Sequence, residues 1–118
     1  IMVCTNAFGL GVNIPDIRMV IHHAPLIGLD DYTQEVGRAG RDGKKSKAVL
    51  LWHSYEHLIH KNALDLTGKE LKQRLAALHA LQAYAQTEDR CRWQMIREFF
   101  GEQPGKRCKK RCDYCKRK

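Results

Sequence analysis

Four of the five cysteines fall in a pattern that few folds can accommodate. Cys108, Cys112 and Cys115 form C-x3-C-x2-C, and Cys91 lies seventeen positions ahead of Cys108, whereas Cys4 stands alone in an apolar run. Zinc takes four soft donors at tetrahedral corners ~2.3 Å away, and thiolates two or three residues apart can curl around one ion. A disulfide framework would use the same residues differently. It would leave an odd cysteine, and Ile1-Met2-Val3-Cys4 has none of the basic, apolar and small-residue segments of a secretory leader. The spacing therefore points to one metal site built from Cys91, Cys108, Cys112 and Cys115, with Cys4 excluded, in a reducing intracellular compartment.

The basic charge clusters at the same end. Residues 106–118 hold eight Lys or Arg against Asp113 alone, a local charge of +7 out of the chain's +8. Such a patch suits phosphate backbones and makes Lys109, Lys110 and Arg111 candidate DNA contacts; the bland alternative is a solvated end. Part of the charge would offset a zinc-tetrathiolate centre and depress the thiol pKa values. The longest apolar runs, such as 48–52, fall far short of the ~20 residues of a membrane span, so no membrane partner is expected.

Apolar and β-branched runs predict strands at 2–5, 18–22 and 47–52. Between the last two, the Asp30-Asp31 pair and Gly40 punctuate a helix. Strand, loop, strand, helix, strand is part of an α/β sheet that needs further strands to close a core, so half of a domain is expected to lie elsewhere. From residue 54 the pattern is helical. Thr67-Gly68-Lys69-Glu70 reads as a capping box ahead of Leu71, Leu75, Leu78, Leu81 and Ala85, predicting a helix over 68–86. A shorter helix over about 89–100 is expected to turn Trp93, Ile96, Phe99 and Phe100 to a core and to stop at Gly101. The boundary predicted from this shift divides the chain into residues 1–52 and 53–118.

Two glycine-rich stretches carry the sharper chemistry. Gln34-Glu35-Val36-Gly37-Arg38-Ala39-Gly40-Arg41-Asp42-Gly43 sets two arginines three residues apart at a helix end, where both could reach a triphosphate; a helix C-terminus complemented by arginine is the bland reading. Thr5-Asn6-Ala7-Phe8-Gly9-Leu10-Gly11-Val12-Asn13 follows a strand, and its glycines allow close backbone approach to a phosphate. No G-x-x-x-x-G-K-[ST] occurs in the chain.

In this order and spacing, the segments resemble the end of the helicase core of RecQ-family DNA helicases. Thr5 to Gly11 is similar to helicase motif V, and Gln34 to Gly43 to motif VI in its RecQ form, Q-E-x-G-R-A-G-R-D-G. Cys91-Arg92, Phe99-Phe100-Gly101-Glu102 and the last three cysteines resemble the RecQ zinc-binding subdomain. The resemblance implies the C-terminal half of a RecA-like α/β domain followed by a small α-helical zinc-binding subdomain. The activity implied is an ATP-dependent motor that moves 3′ to 5′ and unwinds DNA in repair, recombination or replication. By this similarity Arg41 matches the arginine finger, Arg38 the second arginine facing ATP, and Gln34 a link from nucleotide to motor. Asn13 stands near the ribose and Gly11 at the nucleotide cleft, while Thr5, Asn6 and Phe8 lie along the DNA track. Structural Zn²⁺, ATP with Mg²⁺ in the full-length parent, and single-stranded or junction DNA are the implied cofactors and partners. The implied compartment is the nucleus in a eukaryote and the cytoplasm or nucleoid otherwise.

Leu10 replaces a common Met, Cys4 and Asn6 occupy variable positions, and the last cysteines are spaced x3 then x2. With no D-E-x-H pair either, the chain by itself is expected not to hydrolyse ATP. A standalone zinc-stapled basic nucleic-acid-binding module, with Tyr114 stacking on a base, is the alternative function, and a helicase acting on RNA shares motifs V and VI. His53, His57 and His60 recur at helical spacing without acidic or cysteine partners and read as a half-exposed helix face. His22 and His23 read as structural or interdomain residues. Trp52 and Trp93 read as core.

Overall fold

The structure, a computed structural model, describes residues 1–3, 13–23, 28–53 and 66–117. Its elements are β1 (Met19–His22), α1 (Leu29–Val36), β2 (Lys47–Leu50), α2 (Gly68–Gln86), α3 (Arg92–Phe99) and α4 (Asp113–Arg117). β1 and β2 pair in parallel, with Met19 opposite Lys47 and His22 opposite Leu50. Parallel neighbours need a crossover connection, and α1 lies within it.

The strand expected at 2–5 is not borne out over its described part. Ile1, Met2 and Val3 have no strand hydrogen bonding and are largely exposed, because no described strand pairs with them; Cys4 and Thr5 lie outside the described residues. The helix of the Q-E-V-G-R segment is also shorter than expected. It is capped at Gly37 in ordinary right-handed geometry, and Gly40, with φ +69°, belongs to the turn beyond it.

α2 covers the span its leucine stripe predicted, but Thr67 makes no side-chain capping bond. The face it buries holds Ala77, Leu78, Leu81 and Tyr84, with Leu71, Leu75 and Ala85 at its half-buried flanks. Ala77 sets the approach of α2 to α1. A Cβ at Gly28 would lie 2.6 Å from that of Ala77, so only glycine permits this spacing. Leu29, Tyr32, Leu81 and Tyr84 form the core between the two helices, flanked by Val36, Leu50, Trp52, Met95, Ile96 and Phe99.

Trp93 and Phe100 are not core residues: they are 46% and 51% exposed. α3 has little more than two turns and presents Met95, Ile96 and Phe99 inward; at 100° per residue, Trp93 and Phe100 fall roughly a quarter to a third of a turn off that face. A periodicity read over eight residues cannot separate these two sides. Among the described residues, no helix is long and apolar enough to cross a membrane.

Candidate functional site

After α1 the chain makes two further i to i−3 hydrogen bonds, Arg38 N–H to Glu35 O at 3.2 Å and Ala39 N–H to Val36 O at 3.1 Å, and then turns back toward residues 13–18. Gly40 N–H donates to Ile17 O at 2.9 Å and Asp42 N–H to Pro15 O at 3.0 Å. Arg18 clamps the far side, donating from Nη2 to Asp42 Oδ1 at 2.6 Å and from Nη1 to Lys45 O at 3.0 Å. The Arg18 bond, joined by the Lys44 N–H, holds the Asp42 carboxyl below the usual carboxylate range. Gly40 admits no side chain, since a Cβ there would meet Ser46 Oγ at 2.6 Å and Lys44 O at 2.9 Å.

This turn brings together two candidate residues that are 28 positions apart. Exposed Arg41 donates from Nη1 to Asn13 Oδ1 at 3.0 Å. The acceptor is a neutral amide, so that contact leaves the guanidinium charge available to a ligand. Arg38 is half-buried on the same turn, and Gln34 is exposed on α1. Thr5, Asn6, Phe8 and Gly11 lie outside the described residues.

The pattern of motifs does not reveal what anchors α1. His22, buried in β1, places Nε2 2.5 Å from Glu35 Oε2. A carboxylate only accepts, so Nε2 carries the proton. The signal available in the sequence was a histidine inside an apolar strand, which needs a polar partner once buried.

At the other end of the chain, the Sγ atoms of Cys91, Cys108, Cys112 and Cys115 all lie within 4.8 Å of one another. A tetrahedron of metal–sulfur bonds ~2.3 Å long has sulfur–sulfur edges of about 3.8 Å, so a small contraction closes this group on one ion. Local geometry brings the sulfurs in. Cys91 is the residue before α3, and Cys112 N–H bonds Cys108 Sγ at 3.2 Å in the turn where Lys109 and Lys110 take φ of +51° and +67°. α4 then returns Cys115 to the cluster. All four thiols are free.

Cys91, Cys108 and Cys115 titrate differently. Burial pushes the Cys91 thiol up, but the backbone N–H groups of Gln94, Cys108 and Trp93 and the Cys115 thiol outweigh it and bring the pKa to about 6. Burial and then the neighbouring thiols push Cys115 up to about 12. The Cys108 thiol is likewise pushed up, by burial first and then by the Cys112 thiol, and a bound cation would favour the thiolate form at such a site. Lys109, Lys110 and Arg111 project from the same turn and are exposed, whereas Tyr114 is buried under the Arg107 guanidinium at 5.5 Å. That burial argues against Tyr114 as a base-stacking residue. His53 is exposed, its ring 6.4 Å from that of His23, while His57 and His60 lie outside the described residues. Among the described residues, the four cysteines are the metal-competent group.

Motif spacing also missed the contact that fixes this cluster on the helices. Arg92 forks onto Asp113, from Nε to Oδ1 at 2.5 Å and from Nη2 to Oδ2 at 2.8 Å. Each partner directly follows a cysteine, an arrangement visible in the sequence only once the cysteines are known to converge.

Comparison with known proteins matches both parts. The model of the helicase conserved C-terminal domain matches residues 1–43, and that of RecQ zinc-binding matches residues 52–116. The chain is 35% identical over 121 residues to the ATP-dependent DNA helicase hus2/rqh1 of Schizosaccharomyces pombe, covering 98% of this chain and 9% of that protein. It is 36% identical over 110 residues to the ATP-dependent DNA helicase RecQ of Bacillus subtilis, covering 92% and 18%. It is also 36% identical over 117 residues to an Acanthamoeba polyphaga mimivirus protein named as an ATP-dependent RNA helicase, covering 98% and 20%. The chain thus spans a fifth or less of the length of these relatives. With the four converging cysteines inside the region that one model matches and the glycine–arginine turn inside the other, the chain belongs to the RecQ zinc-binding family, joined to a helicase conserved C-terminal domain.

Proposed function

We infer that this chain supplies the arginine-bearing edge of the second motor domain, and the adjoining zinc subdomain, of an ATP-dependent 3′ to 5′ DNA helicase of the RecQ type. The observation that carries this reading is the 3.0 Å bond between Arg41 and Asn13, which sets two nucleotide-facing candidates side by side on an exposed turn. Arg41 acts as the finger: a planar guanidinium placed against the γ-phosphate stabilises charge spread over the transferring group. Arg38 and Gln34 supply neighbouring contacts that link the nucleotide to α1, and Asn13 holds Arg41 and faces the ribose. Gly11 belongs to the nucleotide cleft, and Thr5, Asn6 and Phe8 to the DNA track. Magnesium and the phosphate-binding lysine come from the first motor domain of the intact protein.

Cys91, Cys108, Cys112 and Cys115 hold one structural Zn²⁺. The close approach of the four sulfurs and the ease with which Cys91 ionises both support this ligand set. Lys109, Lys110 and Arg111, exposed on the turn between two of these cysteines, neutralise DNA phosphates without reading bases.

The test is nucleic-acid-stimulated ATP hydrolysis by the intact protein, with nucleotide binding measured alongside. Arg41→Ala should lower turnover by ~10³-fold or more with nucleotide affinity little changed, and Arg41→Lys should not restore it. Near-normal turnover in Arg41→Ala would remove the finger assignment. Stimulation by single-stranded RNA in preference to DNA would transfer the protein to the RNA-acting class that one relative's name carries.

A further inference from the structure

A continuous file of side chains runs from the cysteine cluster to the helix that leads into the arginine turn. At the cluster end, Arg92 is forked onto Asp113, which follows Cys112, and its Nη1 donates to the backbone carbonyl of Tyr84. The Arg92 guanidinium also sits 5.2 Å from the centre of the Tyr84 ring. Tyr84 meets Tyr32 with ring centres 5.3 Å apart, and Tyr32 meets His22 at 5.3 Å. His22 closes the file by its 2.5 Å bond to Glu35. Tyr32, Tyr84 and His22 are all buried, and Tyr32 and Glu35 both belong to α1, which carries Gln34 and ends just before Arg38.

Contiguity alone does not make a coupling; one member must have two states. The member strained enough to have a second state is the turn between Cys108 and Cys112. Lys109 and Lys110 both hold left-handed backbone geometry, which disfavours any residue with a Cβ and persists only while the surroundings enforce it. A metal held by Cys108 and Cys112 would enforce it from both ends. Without such a metal the turn would relax, and Asp113, the residue after Cys112, would lose its two-oxygen hold on Arg92. Arg92 would then have no anchor on the cluster side, and its hold on Tyr84 would weaken.

We propose that Arg92, Tyr84 and Tyr32 are positioning residues through which the metal state of the cysteine cluster sets the order of α1 and of the arginine turn beyond it. This rests on the reading of the cluster as a zinc site. The zinc subdomain then acts on the nucleotide edge through packing, without touching nucleotide.

Amide hydrogen exchange of the zinc-loaded protein, with and without chelator, tests it beside metal analysis of the same samples. In the wild type, chelation should accelerate exchange over 29–36 by about tenfold, together with the loss of protection over 91–117. Tyr84→Phe keeps the ring but loses the hydroxyl contact with Tyr32, so exchange over 29–36 should start modestly faster than in the wild type and still respond to chelator. Tyr84→Leu should retain its zinc, show fast exchange over 29–36 from the start, and lose the response to chelator. Asp113→Asn, a half-exposed site that leaves the thiols intact, should accelerate exchange over 29–36 with zinc still bound. The proposal is overturned if chelation unprotects 91–117 and leaves 29–36 unchanged, or if Asp113→Asn leaves that helix at the wild-type rate. Absence of zinc from the native protein would remove the metal reading instead, and Asp113→Asn would then decide alone whether the strut exists.

Discussion

The arginine turn and the cysteine turn both rely on left-handed backbone, but they supply it differently. In the arginine turn the positions are Gly40 and Gly43, with φ of +69° and +78°. In the cysteine turn they are Lys109 and Lys110, at +51° and +67°, where a Cβ costs ~1–2 kcal/mol per residue. The first turn is shaped by residues that accept the geometry unaided and is tied by main-chain bonds to Ile17 and Pro15. The second is a strained segment with little apolar support, since the buried side chains around it are three cysteines and Tyr114. One site is held by backbone chemistry, the other by its ligand set, so the two should fail to different insults.

Loss of a sulfur ligand should produce the largest effect. Metal binding to small cysteine sites is worth on the order of 10 kcal/mol at neutral pH, so Cys91→Ser or Cys112→Ser should abolish stoichiometric zinc and open residues 103–117 to limited proteolysis. Cys4→Ser should leave one zinc per chain. Full zinc content in Cys91→Ser, measured by elemental analysis, would dissolve the contrast between the two turns.

Gly40→Ala should come next, at roughly 2–4 kcal/mol of stability, because it combines an unfavourable φ with close contact to Ser46 and Lys44 O. Denaturant unfolding gives the magnitude, and zinc content should not change. The mirror experiment at the cysteine turn has the opposite sign. Lys110→Gly should raise resistance to unfolding by up to about 1 kcal/mol, since relief of the left-handed strain is partly offset by a more flexible unfolded chain. It should also make nucleic-acid binding less salt-dependent by about one phosphate contact. Destabilisation by Lys110→Gly would mean that the turn is not strained.

The smallest effect belongs to acid. Arg18 and the Lys44 N–H depress the Asp42 carboxyl in the folded state, so the folded protein binds fewer protons there than the unfolded chain does. The resulting stabilisation is present above the ordinary carboxylate value of ~3.9 and is lost as pH falls through the lower folded value. The arginine turn should be intact above the ordinary carboxylate range and loosen only as pH falls below it. Asp42→Asn should remove that dependence, as followed by the amide resonances of Gly40 and Gly43.

The convergence of the four cysteines and the span of α2 were legible in the sequence because each rests largely on local spacing: residues a few positions apart share a turn or a helix face wherever the chain goes. The expected extension of α1 to Gly40 failed because a glycine ending a motif and a glycine ending a helix look alike until the turn's bonds to Pro15 and Ile17 are seen. Trp93 was misread because two turns of helix cannot show which of two adjacent faces will be covered. His22 with Glu35, Tyr32 with Tyr84, and Arg92 with Asp113 join residues from 13 to 52 positions apart in pairs that no local pattern announces. The sequence determined which chemistry this chain carries, since residue type and short spacing define ligand sets and turns. Tertiary structure alone decided how the two sites are joined, because contacts between distant residues depend on how helices pack, and that packing turns on details such as the absent Cβ of Gly28 against Ala77.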